Sequence, residues 1–251
     1  MQRLLVFAAL ALLASPPLLA VETPAYIAAA VAAPERSDKD RERDARDRPA
    51  EVMAFAGIRP GMAIADVFGG GGYWSELLAR AVGAGGQVTL VNNTPYLEFA
   101  REDLKSRFAD ERLPGVTRRT IETCDLKLGT ASYDLILIVM SYHDLYYVDE
   151  AGGWPAIDAG RFLDQLHAAL KPGGSLLIID HSAAPGAGNS VAGTIHRIEE
   201  NFARRDIESH GFKLEKTWDG YRNPADDLSK LVFDPAVRGK TDRFTHLYRR
   251  R

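Results

Sequence analysis

The chain has 251 residues, of which 46% are hydrophobic and 26% are charged, and its formal net charge is -3. This composition is typical of a globular protein with enough apolar material for one good core. A slightly acidic chain lacks the basic field that non-specific nucleic-acid binding requires, so we expect a small-molecule ligand and no nucleic-acid partner.

The first twenty residues have the features of a secretory signal peptide. Arg3 supplies a positive charge, Leu4–Leu13 is apolar, and Ala20 is a small residue suited to signal peptidase cleavage. An uncleaved anchor is the weaker alternative, because the apolar run is short and is interrupted at Pro16 and Pro17. We therefore predict a signal peptide over residues 1–20, a periplasmic location and no stable membrane span after cleavage.

Residues 21–57 differ in composition from the rest, and we predict an N-terminal helical extension there. Tyr26–Ala33 is an alanine-rich helical pattern, and Asp38–Arg48 alternates acids and arginines at spacings that pair opposite charges. Pro49 can begin a third helical segment that ends at Gly57. The charged run has two interpretations, either a solvated helix face or a lid over the glycine-rich turn that follows.

Four consecutive glycines, Gly69–Gly72, are the most informative feature of the chain. They follow an apolar, strand-like run and lead directly into an amphipathic helix pattern. Glycine adopts backbone conformations closed to residues with a Cβ, and the first turn of a helix has free N–H groups. A nucleotide-like ligand can approach such a turn closely, although an ordinary loop of an α/β protein can have the same composition.

Strands and helices alternate through the remaining sequence. The predicted strands are Met62–Phe68, Gln87–Asn92, Val116–Glu122, Tyr133–Met140, Ser175–Asp180, Phe212–Trp218 and Arg243–Arg249, and the predicted helices are Tyr73–Val82, Tyr96–Phe108, Ala156–Leu170 and Thr194–Ser209. This pattern predicts an α/β fold with a doubly wound, mostly parallel seven-stranded sheet. The last two strands have no helix between them, so we expect them to pair antiparallel.

From about Pro49 onward the chain resembles the class I S-adenosylmethionine-dependent methyltransferases, which have a Rossmann-like fold of this type. Their turn reads acid-x-Gly-x-Gly-x-Gly, and Asp66, Gly70 and Gly72 match it while Phe68 replaces the first glycine. The segment LKPGGSLLIID is similar to the family's turn before the fifth strand. A short-chain dehydrogenase would need a Tyr-x-x-x-Lys pair, which the sequence lacks. The resemblance implies a methyltransferase domain over residues 58–251.

The resemblance also implies where S-adenosylmethionine would bind. The family has a ribose-binding acid at the end of the second strand, where this chain has Asn92, and an amide offers a diol one acceptor and one donor. The acid after the third strand would bind the adenine amino group. The implied cofactor-binding residues are Asp66, Gly70, Gly72, Asn92, Asp125 and Leu126.

Methyl transfer depends mainly on positioning, because the sulfonium is already activated, and a general base helps when the acceptor is a hydroxyl or thiol. The fourth strand is followed by Tyr142, His143 and Asp144, at the edge of the sheet where ligands of such folds bind. We predict that His143 is the base and that Asp144 orients it. Tyr142 is expected to pack beside the sulfonium or the acceptor.

Two more histidines are predicted at the same edge. His181 closes the fifth strand, and His196 and Arg197 begin the helix expected to cover it. Three histidines on one rim suggest a metal site, but their spacings are long and match no compact ligand motif. We therefore predict a polar substrate pocket that includes His181, His196 and Arg197, and no metal.

Two functions remain open at this stage. The favoured one is an exported methyltransferase that acts on a small molecule. The alternative is a non-catalytic protein that binds a nucleoside or another metabolite on the same fold, which Asn92 and the export signal favour. The sequence specifies neither the methyl acceptor nor an oligomeric state.

Overall fold

A computed structural model describes residues 23–251, so the predicted signal peptide lies outside the described residues. In that range the α-helices α1–α9 are Ala25–Val31, Asp38–Asp47, Pro49–Ala56, Tyr73–Val82, Thr94–Phe99, Arg101–Arg107, Ala159–Ala169, Ala192–Ile195 and Glu200–Ser209. The strands β1–β7 are Ala63–Val67, Gln87–Asn92, Val116–Thr120, Tyr133–Val139, Leu170–His181, Phe212–Thr217 and Arg243–Arg250. Among these helices, none has the length and apolar character needed to cross a membrane.

The seven strands form one sheet in the order β3-β2-β1-β4-β5-β7-β6. Strands β1 to β5 pair in parallel, while β7 lies antiparallel between β5 and β6. This confirms the predicted fold class, including the final antiparallel pair. Because β1, β4 and β5 run in the same direction, the residues that follow them meet at one edge of the sheet.

The predicted helix over Thr194–Ser209 is broken into α8 and α9 by a segment that crosses the end of β5. The Ile198 N–H donates to the His181 carbonyl at 3.0 Å, and the Ile198 carbonyl accepts from the Ala183 N–H at 2.9 Å. Such a bridge requires extended backbone, so the helix cannot continue through it. The chain enters the bridge through His196, which has a φ of 54°. The break therefore places His196 at the carboxyl edge.

The predicted N-terminal helical extension packs into the core of the sheet domain. Ile27 of α1 and Val52 and Met53 of α3 are buried in the same cluster as Leu77 of α4. Helix α2 is polar, and Ser37 caps it by accepting a hydrogen bond from the Asp40 N–H at 3.1 Å. Helices α1 and α3 thus share the core that supports the glycine-rich turn.

A buried arginine fastens α2 to the glycine-rich turn. Arg107 of α6 donates to the Gly71 carbonyl at 2.6 Å and to both carboxylate oxygens of Asp40, at 2.6 and 3.0 Å. It also pairs with Glu76 of α4, whose side chain is fully buried. This one side chain therefore links α2 and α4 to the turn. The charged helix therefore lies beside the turn, and its action as a lid stays a prediction.

We expect Arg107→Met to lower the free energy of unfolding by about 3 kcal/mol, because it removes a charged partner from the buried carboxylates of Asp40 and Glu76. Urea unfolding at neutral pH measures the change. Arg101→Met is the control, since the pair between Arg101 and Glu98 is about two-thirds exposed and such pairs contribute at most about 1 kcal/mol. Equal losses in the two variants would contradict the assignment.

Candidate functional site

A cavity of about 870 Å³ lies at the carboxyl edge of the sheet. Helix α2 forms one wall and the glycine-rich turn another, while the remaining walls come from segments that follow β2, β4, β5 and β6. The predicted residues that line it are Gly70, His143, Asp144, His181 and His196. A smaller cavity of about 320 Å³ lies at the opposite edge, around Lys171–Ser175. The larger cavity thus coincides with the edge where doubly wound folds bind ligands.

The glycine-rich turn passes directly over Asp66. A Cβ on Gly69 would lie 2.5 Å from Asp66 Cγ, so no side chain fits there. Asp66 Oδ2 accepts from the Ser75 hydroxyl at 2.6 Å, and Oδ1 is buried without a hydrogen-bond partner. Burial raises the pKa of Asp66 to about 6. An unpartnered carboxylate oxygen beneath the turn favours a positively charged group or a donor nearby.

Phe68 stands where the methyltransferase motif has its first glycine, and its own φ is positive. Its φ is 54°, a conformation that costs a residue with a Cβ about 1–2 kcal/mol. The ring is buried and contacts Tyr96, Phe162 and Trp154 at centroid distances of 5.0, 5.5 and 5.9 Å. Phe68 and two of these rings line the cavity. Aromatic packing therefore offsets the backbone strain, and it gives the cavity a stacking surface.

Asn92 closes the turn from below. Its Oδ1 accepts from the Gly70 N–H at 3.0 Å, and its Nδ2 donates to the Gly70 carbonyl at 2.9 Å. The side chain is buried and does not line the cavity. Both hydrogen-bonding groups of the amide are thus engaged with the turn. The ribose contact stays a prediction, and it would require the buried side chain to become accessible from the cavity.

The two residues predicted at the adenine end also lie outside the cavity lining. Asp125 is exposed and accepts from the Lys127 N–H at 3.2 Å, while the Leu126 N–H donates to Gln165 Oε1 at 2.8 Å. The only predicted N–H donor to the ring is therefore engaged with a side chain. Their contacts with adenine remain predictions.

His143 is held by two carboxylates at the floor of the cavity. Its backbone N–H donates to Asp180 Oδ2 at 2.7 Å, and its Nδ1 lies 2.8 Å from Asp180 Oδ1. Its Nε2 lies 3.2 Å from Asp144 Oδ1. Burial acts to lower the pKa of His143, but Asp180 and Asp144 outweigh it and raise the pKa to about 9. At neutral pH both ring nitrogens of His143 therefore carry a proton and the ring is positively charged. The ring can act as a base only at higher pH, after it has lost one of these protons.

Two predicted site residues belong to the core instead. Tyr142 is fully buried and its hydroxyl donates to Asp206 of α9, which directs the ring away from the cavity. Arg197 is also fully buried, and it pairs with Asp226 at 2.9 Å and donates to the Ser182 carbonyl at 3.0 Å. Because these partners occupy the polar groups, the structure assigns Tyr142 and Arg197 to packing beside the cavity.

The other two predicted substrate residues reach the cavity. His181 Nδ1 lies 2.7 Å from the Thr241 hydroxyl, and burial together with nearby positive groups holds the pKa of His181 well below its usual value. His196 stacks on the ring of Tyr147 at a centroid distance of 5.0 Å, and its Nδ1 lies 3.3 Å from His143 Nε2. The three histidines thus converge on one part of the cavity.

Sequence reasoning missed the two residues that orient this group. Asp180 holds His143 through both of its carboxylate oxygens. The sequence signal that could have identified it is its position as the acid that ends the run of apolar residues in β5. Tyr96 lies in α5 and donates to Asp144 Oδ2 at 2.6 Å. No local pattern links Tyr96 to Asp144, because the contact joins residues 48 positions apart.

Comparisons with known proteins agree with this fold. Residues 65–178 match the family model described as a methyltransferase domain. A ubiquinone/menaquinone biosynthesis C-methyltransferase from Hydrogenovibrio crunogenus is 28% identical over 133 residues, which cover 52% of this chain and 46% of that protein. The protein of the same name from Idiomarina loihiensis is 24% identical over 69% of this chain and 61% of its own length. The chain thus spans about half to three-fifths of these relatives.

Solved structures show the same architecture at low sequence identity. A S-adenosylmethionine-dependent methyltransferase from Aquifex aeolicus has a TM-score of 0.57 and 20% identity, over 85% of this chain and 99% of that one. An arsenic(III) S-adenosylmethionine methyltransferase from Chlamydomonas reinhardtii has a TM-score of 0.55 and 20% identity, over 90% and 73% of the two chains. The match to the methyltransferase domain thus covers residues 65–178, and the solved structures show that the fold extends over most of the chain.

The strain at Phe68 has a measurable consequence. Phe68→Ala removes the packed ring and keeps a Cβ at positive φ, so we expect a loss of about 3–5 kcal/mol in the free energy of unfolding. Phe68→Gly removes the same ring but relieves the backbone strain, so it should be about 1 kcal/mol more stable than Phe68→Ala. Urea unfolding of the two variants measures the difference. If Phe68→Gly is less stable than Phe68→Ala, the backbone at position 68 is not strained.

Proposed function

We propose that this class I S-adenosylmethionine-dependent methyltransferase domain transfers a methyl group to a small-molecule acceptor in the 870 Å³ cavity. The observation that carries the proposal is that one cavity joins the glycine-rich turn to the group formed by His143, Asp144 and His196. A cofactor at the turn and an acceptor at the histidines would then lie in the same cavity, where the acceptor can be positioned for in-line transfer.

The glycine-rich turn fits the methionine end of the cofactor. Gly69, Gly70 and Gly71 line the cavity, and a Cβ on Gly70 would meet only Tyr96, at 4.0 Å. A ligand can therefore approach this backbone closely. Asp66 is buried beneath the turn and outside the cavity lining, so its predicted role at the methionine end would be to act through the turn. When bound, the cofactor supplies an activated methyl group, so this chain needs to position an acceptor and manage its proton.

His143 and Asp144 are the proposed acid–base pair for the acceptor. At neutral pH a protonated His143 can donate to an acceptor oxygen, nitrogen or sulfur, and it becomes a base as the pH approaches its pKa of about 9. The neighbouring His143 and His196 hold the pKa of Asp144 below its usual value despite burial, so Asp144 is ionised. The pair therefore suits an acceptor atom that loses a proton on methylation.

The acceptor is proposed to be small and partly aromatic. The cavity wall has the rings of Tyr96, Trp154 and Phe233 on its apolar side. The relatives named as ubiquinone/menaquinone C-methyltransferases and the arsenic(III) methyltransferase both have names that indicate small acceptors. The reacting groups are buried, which favours a ligand that enters the cavity over a macromolecular surface.

A non-catalytic binding protein on this fold is the second candidate. The observation that favours it is that the Asn92 amide and the Leu126 N–H are both engaged within the protein. A different ligand that contacts only the turn and the aromatic rings would need neither group. Binding of the cofactor separates the two candidates.

Calorimetric titration of the protein without residues 1–20 tests the cofactor assignment. We expect S-adenosylmethionine and S-adenosylhomocysteine to bind, and Gly70→Ala to weaken both by at least about tenfold, because the added methyl group and the strain of a positive φ disturb the approach to the turn. Gly57→Ala is the matched control, since Gly57 also has a positive φ, with room for a Cβ, but lies at the end of α3 and outside the cavity lining. Absence of binding at millimolar ligand would refute the enzyme proposal.

We also propose that the protein is exported, on the strength of the signal-like residues 1–20. The full chain expressed in a Gram-negative host should appear in the periplasmic fraction with Val21 as its first residue, as measured by amino-terminal sequencing. Deletion of residues 2–20 is the control and should keep the protein in the cytosol. A full-length chain that retains Met1 in the cytosol would refute the proposal.

A further inference from the structure

We propose that His143 Nε2, Asp144 Oδ1 and His196 Nδ1 form a binding site for a divalent first-row transition-metal ion at the floor of the cavity. The three atoms lie within 4.8 Å of one another. The sequence predicts no metal here, because these residues fit no compact ligand motif. Folding brings His196 to the other two from 53 residues further along the chain.

The spacing of the three atoms matches a coordination sphere. They are separated by 3.2 Å from His143 to Asp144, 3.3 Å from His143 to His196, and 3.8 Å from His196 to Asp144. Zinc–nitrogen and zinc–oxygen bonds of about 2.0–2.2 Å place tetrahedral ligand atoms about 3.3–3.6 Å apart. A metal ion could therefore occupy the centre with shifts of only a few tenths of an ångström in the side chains.

Each proposed ligand is also oriented by a separate contact. Asp180 Oδ1 lies 2.8 Å from His143 Nδ1, which leaves Nε2 for the metal. The Tyr96 hydroxyl donates to Asp144 Oδ2 at 2.6 Å, which leaves Asp144 Oδ1 for the metal. His196 is fixed by its stacking on Tyr147. Carboxylate-to-histidine contacts of this kind commonly fix the ring and tautomer of metal ligands.

The chemistry of the donors indicates the class of ion. Two imidazole nitrogens and one carboxylate suit zinc or ferrous iron, whereas magnesium and calcium prefer oxygen ligands. Three protein ligands also leave at least one coordination position open, as in catalytic zinc sites. All three ligands line the cavity, so a small molecule in the cavity could take that position. A bound metal ion would take the lone pair of His143 Nε2, so the metal and the proton role of His143 are alternatives at this site, and the metal is tested separately from cofactor binding.

Metal binding is tested on untagged protein without residues 1–20, first dialysed against a chelator and kept free of S-adenosylmethionine. We expect one Zn²⁺ per chain in a competition titration with a chromophoric chelator. Loss of an outer contact to a ligand typically weakens binding about 10–100-fold, so Asp144→Asn and His196→Gln should each weaken it at least about 100-fold. His210→Gln is the matched control, because His210 pairs with Asp164 at 2.8 Å outside this group.

Three further measurements test the metal site: the fold of each variant, the absorption of bound Co²⁺, and competition between metal ions. Circular dichroism and urea unfolding select variants that keep the wild-type fold, and His196 is the safer position because its side chain is 21% exposed. Bound Co²⁺ should give visible absorption that both ligand variants lose, and Zn²⁺ should displace it while millimolar Mg²⁺ should not. Absence of stoichiometric binding, or equal Zn²⁺ affinity in folded Asp144→Asn, His196→Gln and wild-type proteins, would overturn the proposal.

Discussion

Asp180 is the buried carboxylate around which the carboxyl edge of the sheet is organised. It ends the apolar part of β5, and its oxygens bond to the backbone and ring of His143 and to the His181 N–H. A fully buried carboxylate is costly unless such donors surround it, so the segments after β4 and β5 have little freedom to move apart. The histidine group follows from this constraint, since it is built on those two segments.

The opposite wall of the cavity depends on a second buried charge. Arg107 connects α2 and α4 with the carbonyl of Gly71, so the N-terminal helices and the glycine-rich turn form one rigid wall. The extension differs from the rest of the chain in composition, yet it supplies part of the binding site. Its charged residues therefore serve both the surface and the cavity.

The departures from the methyltransferase motif change how the turn is built. Phe68 has a positive φ and adds an aromatic ring beside the cavity, while Asn92 bonds to both backbone groups of Gly70. A carboxylate at position 92 could accept from the Gly70 N–H but could not donate to its carbonyl. Both departures thus stabilise the turn through contacts within the protein: Phe68 by aromatic packing and Asn92 by its two hydrogen bonds to Gly70.

The sequence by itself determined the strands, the order of the main helices and the location of the ligand edge. These features follow from hydrophobic periodicity and from turn residues such as Gly69–Gly72, which act over a few neighbouring positions. It also identified His143, Asp144, His181 and His196 as residues of that edge, because each follows or faces the end of a parallel strand.

Only the tertiary structure decided which of these side chains meet. Tyr142 and Arg197 have the same local signals as their neighbours, but long-range partners, Asp206 and Asp226, hold them in the core. The contact between His143 and His196 depends on a bridge at the end of β5 that no periodicity encodes. Contacts of this kind are set by packing between distant segments, which is why the sequence predicted the edge of the sheet but not the arrangement of its site.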